Sequence, residues 1–313
     1  MKRILGVVGI AVLIIAVGVV AYVLGTHKTS NTGQNASAQY PLLAKRLFVD
    51  NPNDSFINFV TLRKQLNSYF VDNKIDGSLY FEYLPTGTSI RIDGDKQQVG
   101  ASLLKVPAAM ELYKAAELGK INLDQTVTIQ QDWLDSAFGD LYKKGAGYQL
   151  TLREAAKIML ENSDNTALNV ISYHTQNLLS DEQTPISALD LDISVDPTNN
   201  YTIAIGARDY SSVLKCLYFS CYLNNTNSQE LLNYLSNTKF DNRLRAGISD
   251  KSITVAHKVG NFAQDTQSDC GIVYVPNRNY VLCAIIRGAD NTDTDTKIAA
   301  LSKLTYDFVT SQK

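Results

Sequence analysis

Histidine and tryptophan are almost missing from this 313-residue chain, with three histidines and one tryptophan. None of the four cysteines (Cys216, Cys221, Cys270 and Cys283) forms a C-x-x-C pair, so neither element of a zinc site is in place. No cofactor-binding or metal-binding pattern is expected. Charge of one sign is also lacking: 29 basic against 31 acidic residues give a formal net charge of −2. Nothing in that balance argues for a nucleic-acid partner. No internal repeat is visible. The composition, 45% apolar and 19% charged, is that of an ordinary globular protein.

Charge is missing locally as well. After Met1-Lys2-Arg3, residues Ile4 to Gly25 carry no charged and no strongly polar side chain. That run is long enough to cross a bilayer as a helix, and longer than the apolar core of a secretory signal. Lys2 and Arg3 favour a cytoplasmic N-terminus. The expectation is residues 1–3 in the cytoplasm, a transmembrane signal anchor over 4–25, a flexible tether over 26–45 and an extracytoplasmic domain over 46–313. Thr26 to Gln39 is rich in Ser, Thr, Asn and Gly, with little to bury.

Three short stretches carry reactive chemistry. Ser102-Leu103-Leu104-Lys105 places a hydroxyl and an amine three residues apart, on one face of any helix that Ser102 opens. A serine hydroxyl is a poor nucleophile until a neighbouring base activates it, and lysine is one such base. A helix N-terminus adds free N–H groups where an oxyanion would develop. The helix is signalled by the stripe Leu103, Leu104, Val106, Ala109, Met110, Leu112 and Tyr113, with Gly119 at its end. The other two stretches are Ser163-Asp164-Asn165 and Lys258-Val259-Gly260. Taken singly, they read as a helix-capping turn and a strand lysine.

Taken together and in order, the three resemble the S-x-x-K, S-D-N and K-T-G set of the penicillin-recognising serine enzymes, the class A β-lactamases in particular. The flanks agree: Leu118 to Val127, Leu152-Arg153-Glu154, and Asn242 to Gly247 before His257. The likeness spans roughly residues 75 to 312. It implies Ser102 as nucleophile, Lys105 as its activator and Ser163 as the proton donor to the leaving nitrogen. Asn165 would hold the substrate amide and the Lys105 amine, and Lys258 would add positive charge near a substrate carboxylate. Val259, Gly260 and Asn261 would line the substrate, with the N–H groups of Ser102 and Asn261 forming the oxyanion hole. A Ser-His-Asp triad is not expected. Alternation turns His257 away from Lys258, and His174 lies beyond the second motif.

Three departures stand out. Val259 replaces a hydroxyl residue. Cys270 stands where many members carry an arginine, leaving Arg287 as a possible substitute. The water-activating glutamate of E-P-x-x-N has no match between Thr166 and Arg208, and Glu182 lacks the Asn four residues on. The nearest likeness is Asp196-Pro197-Thr198-Asn199-Asn200, whose carboxylate would sit about 1–1.5 Å back, a shift able to cost orders of magnitude in rate. The plain reading of Asp-Pro is a turn. With the apolar run at 4–25, the resemblance therefore implies a membrane-anchored hydrolase opening a β-lactam or a related amide. The alternatives are a D-alanyl-D-alanine carboxypeptidase acting on cell-wall peptide, or a ligand-capturing sensor without turnover.

Periodicity predicts helices over Asp54–Asp72, 152–161, Ser211–Tyr218, Ser228–Leu235 and about Asp295–Thr310. Strands are predicted over Ser78–Leu84, Ser89–Ile92, Ser252–Val259, Asp269–Val275 and Tyr280–Ile286. Asp132 to Thr151 reads as loop. The whole is an α+β fold: an antiparallel sheet built from both chain ends, with flanking helices and an all-helical subdomain. Around Pro276-Asn277-Arg278-Asn279 any hairpin register puts Cys270 and Cys283 on one face. They would be a disulfide outside the cell or two buried thiols.

Overall fold

The computed structural model describes residues 57–196, 202–263, 265–288 and 290–312, apart from the side chains of Asp196 and Thr202. The expected anchor at 4–25 and tether at 26–45 lie outside these residues. Among the described residues no helix is long and apolar enough to cross a membrane.

In chain order the elements are α1 (Val60–Asp72), β1 (Asp76–Tyr83), β2 (Thr88–Ile92), β3 (Gln98–Val99) and, after a 3₁₀ turn at Ala101–Leu104, α2 (Lys105–Glu117). Next come β4 (Thr126–Thr128), β5 (Gln149–Thr151), α3 (Leu152–Glu161), α4 (Asn165–Thr175) and a one-turn α5 (Pro185–Ala188). Then follow β6 (Ile193–Asp196), β7 (Thr202–Ile205), α6 (Ala207–Phe219) and α7 (Asn225–Ser236). The chain finishes with β8 (Val255–Phe262), β9 (Thr266–Val273), β10 (Tyr280–Arg287) and α8 (Asn291–Ser311).

The main sheet has the order β2-β1-β10-β9-β8 and is antiparallel throughout, so strands from the two chain ends meet at β1 and β10. This is the expected α+β arrangement. The sheet is covered on both sides, which is why β9 and β10 are buried along almost their whole length instead of alternating. On one face Leu79, Phe81 and Leu282 pack against Leu62 and Leu66 of α1 and Ile298 and Leu301 of α8. On the other, Tyr80, Cys270, Cys283 and Ile285 join a core with Met110 and Tyr113 of α2, Met159 of α3, Ile171 of α4 and Leu231 of α7.

Local signals act as read. Thr151 and Glu154 form a reciprocal capping box that starts α3. Gly119, with φ of +69°, closes α2 in the left-handed region.

Corrections concern boundaries and the middle. α1 begins at Val60, not Asp54, and β8 and β9 each lie about three residues from their expected positions. The stretch 132–151 is more than loop: β5 pairs with β4 through Val127↔Leu150. The hairpin of β6 and β7 had no sequence signal and pairs onto β3. Cys270 and Cys283 face each other in register and are bonded. A second disulfide joins Cys216 to Cys221, where Ser220, at φ of +52°, turns the end of α6 back on itself.

Candidate active site

The nucleophile turn is wedged between a strand edge and a helix. β3 delivers the chain to Gly100, whose N–H donates to Ile203 O of β7 at 2.9 Å. Ala101 then takes a positive φ of +46°, an uncommon setting for a residue with a Cβ. Ser102 follows in the 3₁₀ turn, half-buried, and Lys105 is the first residue of α2. Gly260 of β8 lies against this turn: a Cβ there would sit 3.0 Å from Gly100 O and 2.4 Å from Ser268 Oγ. Its missing side chain brings the third motif against the first.

Ser163-Asp164-Asn165 occupies the corner between α3 and α4. Asp164 does serve as a cap: Oδ1 accepts from Ala167 N at 2.9 Å and Oδ2 from Leu141 N at 2.8 Å. Ser163 sits at φ of +54°, which turns its side chain and carbonyl to two lysines. Its Oγ accepts from Lys258 Nζ at 2.8 Å and lies 3.4 Å from Lys105 Nζ. Lys105 also donates to Ser163 O and, at 2.7 Å, to Asn165 Oδ1. All three motifs thus converge on one hydroxyl.

Both amines are withdrawn from water, with Lys105 2% and Lys258 0% exposed. Burial lowers the Lys105 ammonium to about 8, opposed by the carboxylates of Asp164 and Asp135. Lys258 is pushed well below its ordinary value, first by burial, then by the charges of Lys105 and Arg243.

β8 presents its residues on alternating faces. His257 points to the opposite side, where Nδ1 meets Asp269 at 2.8 Å. That histidine–aspartate pair is separated from Ser102 by the strand, and His174 is bonded to Val170 O within α4. Val259 lies in register with Asp269 and is 2% exposed; its carbonyl accepts from Lys258 Nζ at 3.0 Å. The side chain of Val259 therefore packs behind the strand, a correction to the expectation that it would line the substrate.

Arg287 is committed at the end of β10, to Asp265 at 3.1 Å and Asp76 at 3.9 Å. The cation beside β8 is Arg243, buried with 4% exposure. Its Nη1 donates to Gly260 O at 3.0 Å and Ser268 O at 2.8 Å, its Nη2 to Asn261 Oδ1, and its Nε to Asp295. The sequence offered no way to rank Arg243 above its neighbour Arg245. Asn261 is thereby fixed at the edge of β8, as Asn165 is fixed opposite.

Two rings frame the top of the cleft. Phe138, whose carbonyl accepts from Asn165 N at 3.0 Å, meets Phe240 with ring centroids 5.7 Å apart. Lys105 Nζ lies 6.0 Å from the first ring and Lys258 Nζ 5.9 Å from the second. Neither ring was a sequence candidate.

Asp196 is described by its backbone alone. It ends β6 in register with Thr202, one residue from Ile203, the acceptor of Gly100 N. Its side chain and residues 197–201, including Pro197 and Asn200, lie outside the described residues.

A family model described as "Beta-lactamase enzyme family" matches residues 61–309. The chain belongs to the beta-lactamase enzyme family. Among curated relatives it is similar to the Beta-lactamase of Bacillus licheniformis, 25% identical over 245 residues (74% of this chain, 78% of the relative). Beta-lactamase CARB-3 of Pseudomonas aeruginosa is 21% identical over 232 residues (70% and 80%). Among solved structures, a mutant of PBP-A in acyl-enzyme complex with penicillin-G is 25% identical with a TM-score of 0.71, covering 79% of this chain and 95% of that one. A beta-lactamase from Chitinophaga pinensis, 21% identical, shares the fold with a TM-score of 0.71 over 79% and 98%.

Proposed function

We propose that this protein is an active-site-serine hydrolase that opens a β-lactam or a related amide through an acyl-enzyme on Ser102. The observation that carries this reading is Ser163 Oγ lying between Lys258 Nζ at 2.8 Å and Lys105 Nζ at 3.4 Å. In this reading neutral Lys105 takes the Ser102 proton as Oγ attacks the carbonyl carbon. With its amine near 8, Lys105 is a base already partly available at neutral pH. The carbonyl oxygen becomes an oxyanion between the backbone N–H groups of Ser102 and Asn261. The proton then passes through the Ser163 hydroxyl to the leaving nitrogen as the C–N bond breaks. Arg243, held against Gly260 O and Ser268 O, supplies a positive field that favours a carboxylate along β8, and Lys258 adds to it when protonated. The relative caught as a penicillin-G acyl-enzyme supports the same chemistry here.

Water must then cleave the ester. Asp196 is the proposed base, supported by its D-P-x-x-N pattern and by a hairpin attached two residues before Ser102. The absent glutamate favours a second reading, a penicillin-binding protein that acts on D-alanyl peptides and releases β-lactams slowly. A fluorescent penicillin followed by intact mass against time separates the two. A transient adduct supports hydrolysis, a persistent one the second reading, and no adduct refutes both.

Attachment to a membrane through residues 4–25, with the domain outside the cytoplasm, belongs to the same proposal and rests on the uncharged run behind Lys2 and Arg3. Protease added to intact spheroplasts should degrade the domain; full protection would reverse that orientation.

A further inference from the structure

Asn165 is the residue expected to hold the substrate's amide, and one of its two amide hydrogens already has an acceptor. While Oδ1 accepts from Lys105 Nζ, Nδ2 donates to Asp135 Oδ2 at 3.3 Å. Asp135 is placed there by bonds to the second motif. Its N–H donates to Thr166 Oγ1 at 2.9 Å, and the Thr166 hydroxyl donates back to Asp135 O at 3.2 Å. Further along the same loop Phe138 O and Leu141 N are bonded to Asn165 and Asp164. Gly139 lets the loop come this close, since a Cβ there would fall 2.1 Å from Asp164 Oδ2. The loop is therefore pinned to the reaction centre, with the half-buried Asp135 carboxylate beside the Asn165 amide.

Among the described residues that carboxylate accepts from Asn165 Nδ2 and, at 2.7 Å, from Ala137 N. No lysine or arginine forms an ion pair with it among the described residues. Lys105, on the far side of the Asn165 amide, is the charge that feels it. A substrate carbonyl that takes the second hydrogen of Asn165 Nδ2 brings another acceptor beside this anion. The crowding of acceptors is relieved when the substrate also supplies a donor to the carboxylate.

We propose that Asp135 is a specificity-determining residue that selects amide substrates carrying a primary ammonium on the acyl arm. The ammonium pairs with Asp135 as the amide carbonyl takes the second hydrogen of Asn165 Nδ2, and the apolar part of the arm lies against Phe138 and Phe240. This rests on the acyl-enzyme reading of Ser102 and adds the class of substrate.

Two penicillins that differ by one ammonium make the test: aminobenzylpenicillin and benzylpenicillin, each followed by intact mass for the rate of acylation. The intact protein should acylate about fivefold faster with the ammonium-bearing compound, the size expected of a partly exposed ion pair. In Asp135→Asn, which keeps the shape of the carboxylate, the ratio should fall to about one, and in Asp135→Lys it should invert. A ratio of one in the unsubstituted protein, or a ratio that Asp135→Asn leaves intact, overturns the proposal alone. No adduct from either compound overturns the acyl-enzyme reading, and this assignment with it. Thermal unfolding of the variants separates loss of selectivity from loss of fold.

Discussion

The corner at Ser163 and the hairpin that bears Asp196 flank the same nucleophile but are built differently. At Ser163 the hydroxyl, the carbonyl and the neighbouring Asn165 amide are all bonded to side chains from other elements. The corner is locked by Asp164, which caps α4 and holds the loop of Leu141 at once. The hairpin of β6 and β7 reaches the nucleophile through backbone pairing, at Gln98↔Ile205 and Val99↔Ala204 and through Gly100 N. In the proposed reaction the corner breaks the amide as the Ser102 ester forms, and the hairpin serves the water that cleaves the ester. Close packing of side chains fixes distances to fractions of an ångström, whereas a backbone ladder fixes register and leaves side chains to their surroundings. Acylation should therefore be the robust half of the cycle and deacylation the half most open to change by substitution.

Variants on the two sides should come apart accordingly. Ser102→Ala removes the attacking oxygen and should abolish the penicillin adduct, a loss on the order of 10⁶-fold in turnover by comparison with other serine nucleophiles. An adduct that persists in intact mass would transfer the nucleophile elsewhere. Lys105→Ala should slow acylation by about 10²–10⁴-fold. The sign of its pH dependence follows from burial. The amine is protonated below about 8 and acts as a base above it. Acylation should thus climb from pH 6 and level off past pH 8, and Lys105→Ala should flatten that limb in stopped-flow traces.

On the hairpin side, Asp196→Asn should leave the burst nearly unchanged and slow its decay by roughly 10²-fold if the carboxylate activates water. An unchanged decay would reduce Asp196-Pro197 to a turn. The smallest effect is expected at Gly139, where φ is +91° and a Cβ would fall on the Asp164 carboxylate. Gly139→Ala should cost about 1–3 kcal/mol in denaturant unfolding and loosen the loop of Asp135 without touching the hairpin.

What the sequence made legible was whatever is local. Ser102 and Lys105 are three residues apart and the capping box at Thr151 spans four positions, so short-range geometry marked them, whereas Ser163 and Asn165 stood out only through the order of the three motifs and the family they resemble. Arg243, Asp135 and Phe240 act across the fold and look, in the linear chain, like any polar loop residue or lone aromatic. Arg287, at the end of a strand, drew attention that belonged to Arg243, because only the register of β8 and β9 says which cation lies between them. The start of β8 was placed early because Ile253 and Thr254 have the composition of a strand. The Asp250–Ser252 turn, with Ser252 N donating to Asp250 Oδ1 at 2.8 Å, delays pairing to Val255. The hairpin of β6 and β7 escaped notice because its strands are four residues long and joined by polar residues.

The meeting of Phe138 and Phe240 makes access to this cleft a matter of populations. The rings come from two separate loops and each lies about 6 Å from one lysine amine, and their parting takes side-chain rotations on the picosecond-to-nanosecond scale. A ring pair of this kind holds together by about 0.5–1.5 kcal/mol. The parted form is then a minor but standing fraction of molecules, and apparent affinity for an entrant that needs the rings apart is reduced by about three- to fourteenfold for that reason alone. A compound that wedges between the rings recovers this factor without a single new contact to Ser102.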